Sequence, residues 1–432
     1  MNIKVIENQP VSEVLQMLER PLTDTKVTEK AVNEIFDAVK RQGDKAVREY
    51  TLKFDKAALQ ALTVSSEEIA DAAAAVSDEL KNAIQCAIQN VELFHTSQLC
   101  EEKTIGTMPG VYCWQRSLPI ERVGIYIPGG SAPLFSTVIM LAVPARVAGC
   151  SEVVLCTPPR PDGTIDPAIL YTASVTGVTT IVRAGGIQAI AAMAFGTETV
   201  PRVDKIFGPG NQWVTAAKQM ASKEGIAIDL PAGPSEVMIV ADKTANPLFV
   251  AADMLSQAEH GGDSQAVLVT SDAALARQVV SELETELSRL SRRDTILEAL
   301  RHSAIVITGS DDDTVSIMNG YAPEHLILSV ADPDGMAAMV VNAGSVFLGN
   351  YTPESAGDYA SGTNHTLPTN GAARAWSGVN TDSFMKKITF QNISLKGLRS
   401  IGPVIEVMAH AEQLDAHARA VRVRLEERGG DA

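Results

Sequence analysis

Val123-Gly124-Ile125-Tyr126-Ile127-Pro128-Gly129-Gly130 decides how the rest of the chain reads. A short β-rich run meets a proline and two glycines, which end a strand and open a turn. A helical stretch follows over 136–149, then a strand at 152–157, a helix near 167–176 and a strand at 180–183. Gly185-Gly186 leads into a helix at 187–195, and a strand at 205–207 stops at Gly208-Pro209-Gly210. Strand and helix alternating in this way imply a parallel, doubly wound sheet.

Further along, the alternation repeats, with strands at 236–241, 266–270, 304–308, 325–330 and 345–348 and helices between most of them. Toward the N-terminus the pattern is helical. Val32, Ile35, Phe36 and Val39 follow helical spacing, and Leu80, Ile84, Ala87, Val91 and Phe94 form a second apolar stripe after Ser77. Ser65 and Glu68 fit a capping box. The expected architecture is α/β: two doubly wound, incomplete Rossmann-like parallel-sheet domains, plus N-terminal helices and a small helical C-terminal tail. The borders read as an N-terminal arm at 1–25, a helical region at 26–120 packed with the second α/β unit, Rossmann-like domains at 121–235 and 236–381, and the tail at 382–432.

With 432 residues the chain is long enough for about three domains. Its 45% hydrophobic and 20% charged residues fit a globular protein. A net charge of −16 argues against nucleic-acid binding, which needs clustered Lys and Arg. No apolar run approaches the roughly 20 residues that span a bilayer. Met1-Asn2-Ile3-Lys4 opens no signal-peptide apolar run, so the expectation is a cytoplasmic protein without membrane contact. The five cysteines are dispersed and odd in number, which speaks against a disulfide framework.

Ligands of open α/β sheets bind beyond the carboxyl ends of the strands, where glycine turns and helix starts expose backbone amides. Three such turns lie in the first expected sheet, but none is a G-x-G-x-x-G fingerprint. Read alone, they are either a ligand site or ordinary tight turns. Gln257 and His260 stand three residues apart on an expected helix, on one face. An i, i+3 pair ending in His can hold a metal, and it can equally be a plain polar pair. Pro323-Glu324-His325 places two titratable groups side by side before a strand, either as an acid–base pair or as a loop pair. Glu412 and His417 are five residues apart, roughly 140° around a straight helix. A break near Leu414-Asp415, with Asp415 capping a new helix, would let both point into one site.

Taken together, several segments resemble the histidinol dehydrogenase family. They are 123–134 (Val-Gly-Ile-Tyr-Ile-Pro-Gly-Gly-Ser-Ala-Pro-Leu), 205–211 (Lys-Ile-Phe-Gly-Pro-Gly-Asn) and 231–236 (Pro-Ala-Gly-Pro-Ser-Glu). To these add 255–261 (Leu-Ser-Gln-Ala-Glu-His-Gly), 323–326 (Pro-Glu-His-Leu) and 354–365 (Glu-Ser-Ala-Gly-Asp-Tyr-Ala-Ser-Gly-Thr-Asn-His). The likeness runs from about 120 to 370 and is weaker on both sides.

What the resemblance implies is a cytoplasmic homodimer that oxidises L-histidinol to L-histidine with two NAD⁺ in sequence, the last step of histidine biosynthesis. By motif, Gln257, His260, Asp358 and His417 would bind one zinc ion per subunit. Tyr126, Gln188 and Asn211 would line the NAD site. Ser235 and Glu412 would contact substrate, together with the metal ligands and the two bases, Glu324 and His325. The C-terminal tail would cross to the neighbour, so that Glu412 and His417 complete its site. His365 borders the matched loop without an assigned role. Two other readings stay in view: a related dehydrogenase of another small alcohol, such as a sulfonated diol, and a zinc hydrolase without a nicotinamide cofactor. Cys113, Cys150 and Cys156 are nominal nucleophiles, but Cys150 and Cys156 flank an expected buried strand, where cysteine is ordinarily a small hydrophobe.

Overall fold

A computed structural model describes residues 3–20, 25–129, 132–230 and 233–426. Gly130, Ser131, Pro231 and Ala232 of the quoted motifs, and Met1-Asn2 of the N-terminus, lie outside the described residues. The chain divides into two units, 1–98 with 120–384 and 99–119 with 385–432.

The first unit holds two all-parallel sheets. In the five-stranded sheet the order is Thr180–Arg183, Glu152–Thr157, Arg122–Tyr126, Lys205–Phe207, Ala227–Ile228. Counted along the chain this is 3-2-1-4-5, the doubly wound order one strand short. In the six-stranded sheet the order is Lys4–Glu7, Ala304–Ile307, Gln265–Thr270, Glu236–Ala241, His325–Ser329, Ser345–Leu348. Leaving aside the first strand, the order is again 3-2-1-4-5. The expected α/β class with two incomplete Rossmann-like sheets is therefore what the chain builds. These strands read as continuous apolar runs because both faces are covered: every residue of Glu236–Ala241 and Gln265–Thr270 is buried. The edge strand Lys4–Glu7 was not foreseen, being only four residues long.

The N-terminal helices pack on the first sheet, not on the second as expected. Val32, Ile35, Phe36 and Val39 share one core with Ile187, Ile190 and Val214, and the Phe36 and Phe195 rings meet edge-on at 5.6 Å. Ile84, Ile88 and Val91 pack on Ile139, Met140 and Val143. The physical reason is that the second sheet is already covered on that side by Val14, Leu18, Ile317 and Met318. The capping box forms: Ser65 Oγ accepts from Glu68 N–H at 3.3 Å, and Glu68 Oε2 accepts from Ser65 N–H at 2.9 Å. Among the described residues no helix is long and apolar enough to cross a membrane.

The second unit corrects two further expectations. Residues 26–120 are not all helical, and the tail is not helix alone. Thr104–Met108, Val111–Pro119 and Met385–Ile393 form an antiparallel sheet, with the last two paired in register from Val111↔Ile393 to Pro119↔Met385. Trp114 and Phe390, directly opposite, stack at 5.4 Å. Two helices, Leu395–Ala411 and Asp415–Glu426, follow.

Candidate active site

The first strand of the five-stranded sheet delivers Tyr126 at its carboxyl end, next to the strand Lys205–Phe207 where the order reverses. Such a switch point is where doubly wound sheets bind ligands. The chain there passes under the strand end so closely that a Cβ on Gly208, at φ 124°, would lie 2.2 Å from Tyr126 O. Gly208 N–H donates to Asp229 Oδ2 at 2.7 Å, and Lys218 Nζ donates to Gly208 O at 2.9 Å while pairing with Asp229. This buried ion pair locks the turn, and the sequence reading missed it.

Above these strand ends opens a cavity of about 960 Å³, lined by Tyr126, Gly129, Gly186, Gln188, Asn211 and Asp55 among others. Tyr126 Oη accepts from Gly186 N–H at 3.0 Å, and burial pushes its pKa up to about 12. Gln188, in the first turn of Gly186–Phe195, is buried with Oε1 lacking a partner. Asn211 caps Gln212–Lys223, its Oδ1 accepting from Trp213 N–H at 3.1 Å and Val214 N–H at 3.2 Å. The cavity fits a dinucleotide in size and in its unsatisfied amide.

A second cluster forms at the opposite, amino ends of the six-stranded sheet. Ala322, at φ 54°, ends a helix, Pro323 follows, and Glu324 and His325 enter the strand buried. Gly344 makes this possible: its N–H donates to Pro323 O at 2.9 Å, and a Cβ there would lie 2.5 Å from Glu324 O. Ser235 stands one residue before Glu236, which begins the neighbouring strand.

His325 is ringed by acids. Its Nδ1 lies 3.7 Å from Glu324 Oε2 and 3.9 Å from Glu354 Oε1, and its Nε2 lies 3.6 Å from Asp358 Oδ1. Burial alone would lower the His325 pKa, but Glu354, Glu324 and Asp358 outweigh it and raise it. Burial raises Glu324 and Glu354. For Asp358 burial acts upward too, but the imidazoles of His325, His365 and His260 win and hold it below the ordinary carboxylate range.

Around this pair stand donors for a metal, and one of them departs from the expected helical pair: the helix Pro247–Ala258 carries Gln257 but ends before His260, which lies in the bend that follows. His260 Nε2 lies 3.7 Å from Asp358 Oδ2. One ligand atom each from His260, Glu354 and Asp358 falls within a 4.8 Å group. Gln257, at the end of Pro247–Ala258, is fully buried with neither Oε1 nor Nε2 bonded. A buried amide with both ends unsatisfied is costly unless a ligand engages it, and mixed nitrogen and oxygen donors suit zinc. His365 fixes the backbone here: its Nδ1 donates to Asp358 O at 2.8 Å, and Nε2 meets Thr137 Oγ1 at 3.2 Å.

Glu412 and His417 belong to the second unit and are exposed. The expected break exists: Glu412 ends one helix, Gln413 adopts φ 61° and Asp415 starts the next. Asp415 does not cap, however. It is the first helical residue, and its Oδ1 meets His410 Nδ1 at 3.0 Å.

Sequence reasoning missed Glu354 and Asp253. Glu354 precedes Asp358 by four residues and Asp253 precedes Gln257 by four, so same-face spacing could have found both. Burial pushes Asp253 up to about 7. The five cysteines are free. Burial raises the Cys150 thiol to about 11 and raises Cys156 further, so neither is a thiolate nucleophile.

Buried proton acceptors in one unit with a nucleotide-sized cavity at a sheet's switch point fit a dehydrogenase, an oxidoreductase. Residues 18–425 match the family described as histidinol dehydrogenase, and the chain belongs to that family. Histidinol dehydrogenase of Bacteroides thetaiotaomicron is 56% identical over 423 residues, covering 98% of this chain and 99% of that one. The Escherichia coli protein of the same name is 51% identical over 413 residues, covering 95% and 94%. The crystal structure of histidinol dehydrogenase from Elizabethkingia anophelis superposes with a TM-score of 0.96 at 54% identity, covering 98% of each chain.

Proposed function

We propose that this chain oxidises L-histidinol through L-histidinal to L-histidine, the last step of histidine biosynthesis, with two NAD⁺ and one zinc ion per subunit. The observation that carries the reading is the buried Glu324-His325 pair facing Asp358 and His260, in a chain that matches its relatives end to end. Tyr126, Gln188 and Asn211 hold the dinucleotide, which supplies the hydride acceptor. Gln257, His260 and Asp358, with His417 of a neighbouring subunit, would hold zinc, which would supply a positive charge to orient the substrate's donor atoms.

The chain's own groups divide the proton work. His325 Nδ1 faces Glu236 O at 3.3 Å, which favours the proton on Nδ1 and leaves Nε2, without a hydrogen-bond partner, to accept the alcohol proton. Asp358, one of the acids that raise His325, would be engaged as a metal ligand, which would leave His325 readier to act as a base. Glu324 then takes a proton from the water that adds to the aldehyde, His325 returns its proton to the former carbonyl oxygen, and the hydrate gives a hydride to the second NAD⁺ and a proton to His325 to leave the acid. Burial of both bases keeps bulk water away from the aldehyde between the two oxidations.

The homodimer is part of this reading. Val404, Val407 and Met408, at i, i+3 and i+4 on Leu395–Ala411, are 54%, 71% and 60% exposed, an apolar stripe that suits a subunit interface. The tail would carry Glu412 and His417 into the partner's site, with Ser235 and Glu412 contacting substrate. The acidic surface and the absence of a membrane-spanning helix among the described residues support a cytoplasmic setting.

The test follows NADH absorbance in protein loaded with zinc, NAD⁺ and L-histidinol. Two NADH per histidinol, abolished by a chelator, is the expected result. No NADH from folded, metal-replete protein overturns the reading.

A further inference from the structure

Asp55 ends the helix Asp44–Asp55 and lines the cavity that holds Tyr126, Gln188 and Asn211. Its Oδ2 is buried and has no hydrogen-bond partner. No ion pair reaches it among the described residues. Of the two cations lining the cavity, Lys53 lies over the rings of Phe54 and Tyr50 at 5.3 and 6.0 Å, and Arg160 is bound to Asp166 at 2.6 Å. A carboxylate at the last residue of a helix also faces the negative end of the helix dipole. Burial pushes Asp55 up to about 6. An anion kept in so unfavourable a place has a use for its acceptor atoms.

In dinucleotide folds an acid near the end of the second strand accepts hydrogen bonds from the adenosine ribose. Here the second strand, Glu152–Thr157, runs into Thr157-Pro158-Pro159-Arg160 and offers none. The other acid of the cavity, Asp166, is occupied: it caps Pro167–Thr176 through Ala168 N–H at 2.9 Å and pairs with Arg160. Among the described residues, Asp55 therefore stands, from a helix outside the sheet, as the one lining carboxylate without a protein partner.

We infer that Asp55 reads the ribose of the dinucleotide, accepting hydrogen bonds from its hydroxyls and repelling a 2′-phosphate. The inference rests on the cavity being the NAD site. It makes Asp55 the residue that sets NAD⁺ over NADP⁺.

Calorimetric titration of the dimeric holoenzyme with NAD⁺ and with NADP⁺, without substrate, tests it on wild type, Asp55→Asn and Gln188→Ala. Wild type is expected to prefer NAD⁺. Asp55→Asn is expected to bind NAD⁺ about tenfold or more weakly, the scale of one hydrogen bond to a charged group, and to lose most of its preference. A merely structural role would weaken both nucleotides alike and leave the ratio unchanged, which overturns the inference. Unchanged NAD⁺ affinity in Asp55→Asn, with Gln188→Ala weakened, also overturns it while leaving the NAD site standing. Wild type that binds neither nucleotide, or Gln188→Ala binding as wild type, fails the underlying reading as well.

Discussion

The main-chain N–H of Glu236 donates to Glu324 Oε2 at 2.9 Å, and the carbonyl of the same residue faces His325 Nδ1 at 3.3 Å. One residue at the start of one strand thus holds both proposed bases at the start of the next. Its side chain is itself fixed by an ion pair with Arg20 and lies 3.3 Å from Tyr321 Oη, whose single proton goes to Gln265 Oε1 at 2.6 Å. Position, rather than the identity of the two bases alone, is what the amino ends of this sheet provide.

Separating the two bases kinetically is the first consequence. In Glu324→Gln, His325 still accepts the alcohol proton, but the water-activating carboxylate is gone. A rapid-mixing experiment should show about one NADH per site, then a slow phase reduced by roughly 10²–10⁴, the usual worth of general base catalysis. His325→Asn should show no burst. Equal two-step turnover in Glu324→Gln would remove Glu324 from the chemistry.

Arg20 provides a second test, remote from the bases. The Glu236 side chain is 2% exposed, and the Arg20 guanidinium lies 3.9 Å over the Tyr321 ring. Arg20→Met would leave a buried carboxylate uncompensated, which costs about 3–5 kcal/mol in comparable cases. A lower thermal midpoint should accompany a fall in kcat with little change in KM. A variant as stable and active as wild type would show that the Glu236 clamp does not depend on its partner.

How much of this was legible in the sequence follows from which forces are local. Val123–Tyr126 and the runs at 152–157 and 205–207 are strands because apolar β-formers stop at or beside glycine or proline, and the apolar run at 236–241 stops at the charged Asp242-Lys243; local pattern sees both. Met385–Ile393 escaped because its partner, Val111–Pro119, lies far off in sequence and most of its residues are exposed, leaving no apolar alternation. Gln257 and His260 were visible as a pair three residues apart, although the helix stops at Ala258 and His260 follows it. That Asp358, arriving from another element, stands 3.7 Å from His260 is tertiary, and only the resemblance to a family pointed there. The Arg20–Glu236 pairing gave no signal, since Arg20 sits in no local pattern and Glu236 reads only as the polar start of an apolar strand.

Asp55 should be a stability liability that is larger at high pH. Burial raises its folded pKa to about 6 from an ordinary 3.8. A raised acid favours the folded state below the unfolded pKa and loses that contribution as pH climbs through the folded one. Asp55→Asn should therefore stabilise the nucleotide-free protein at pH 8 by about 1 kcal/mol, once discounted for the side chain's partial solvation, and so raise its melting temperature. The gain should shrink toward pH 4. A variant less stable than wild type at pH 8 would mean that Asp55 has a stabilising partner in the free protein.

Gln257 carries the sharpest contrast between stability and metal binding. Both polar atoms of its amide are buried without a partner, a state that costs about 1–3 kcal/mol for each group left unmade. Gln257→Leu removes that cost while filling nearly the same volume, so the chelated variant should melt at or above the temperature of chelated wild type. Zinc binds the folded state only, and at saturating metal it should raise the wild-type midpoint by mass action. In Gln257→Leu that rise should be much smaller, as it should in His260→Ala. Melting curves with zinc and with chelator therefore read two opposite effects from one substitution. A variant that gains as much from zinc as wild type does would leave the buried amide without its ligand, and a chelated variant that melts well below wild type would mean that the amide is already satisfied in the metal-free fold.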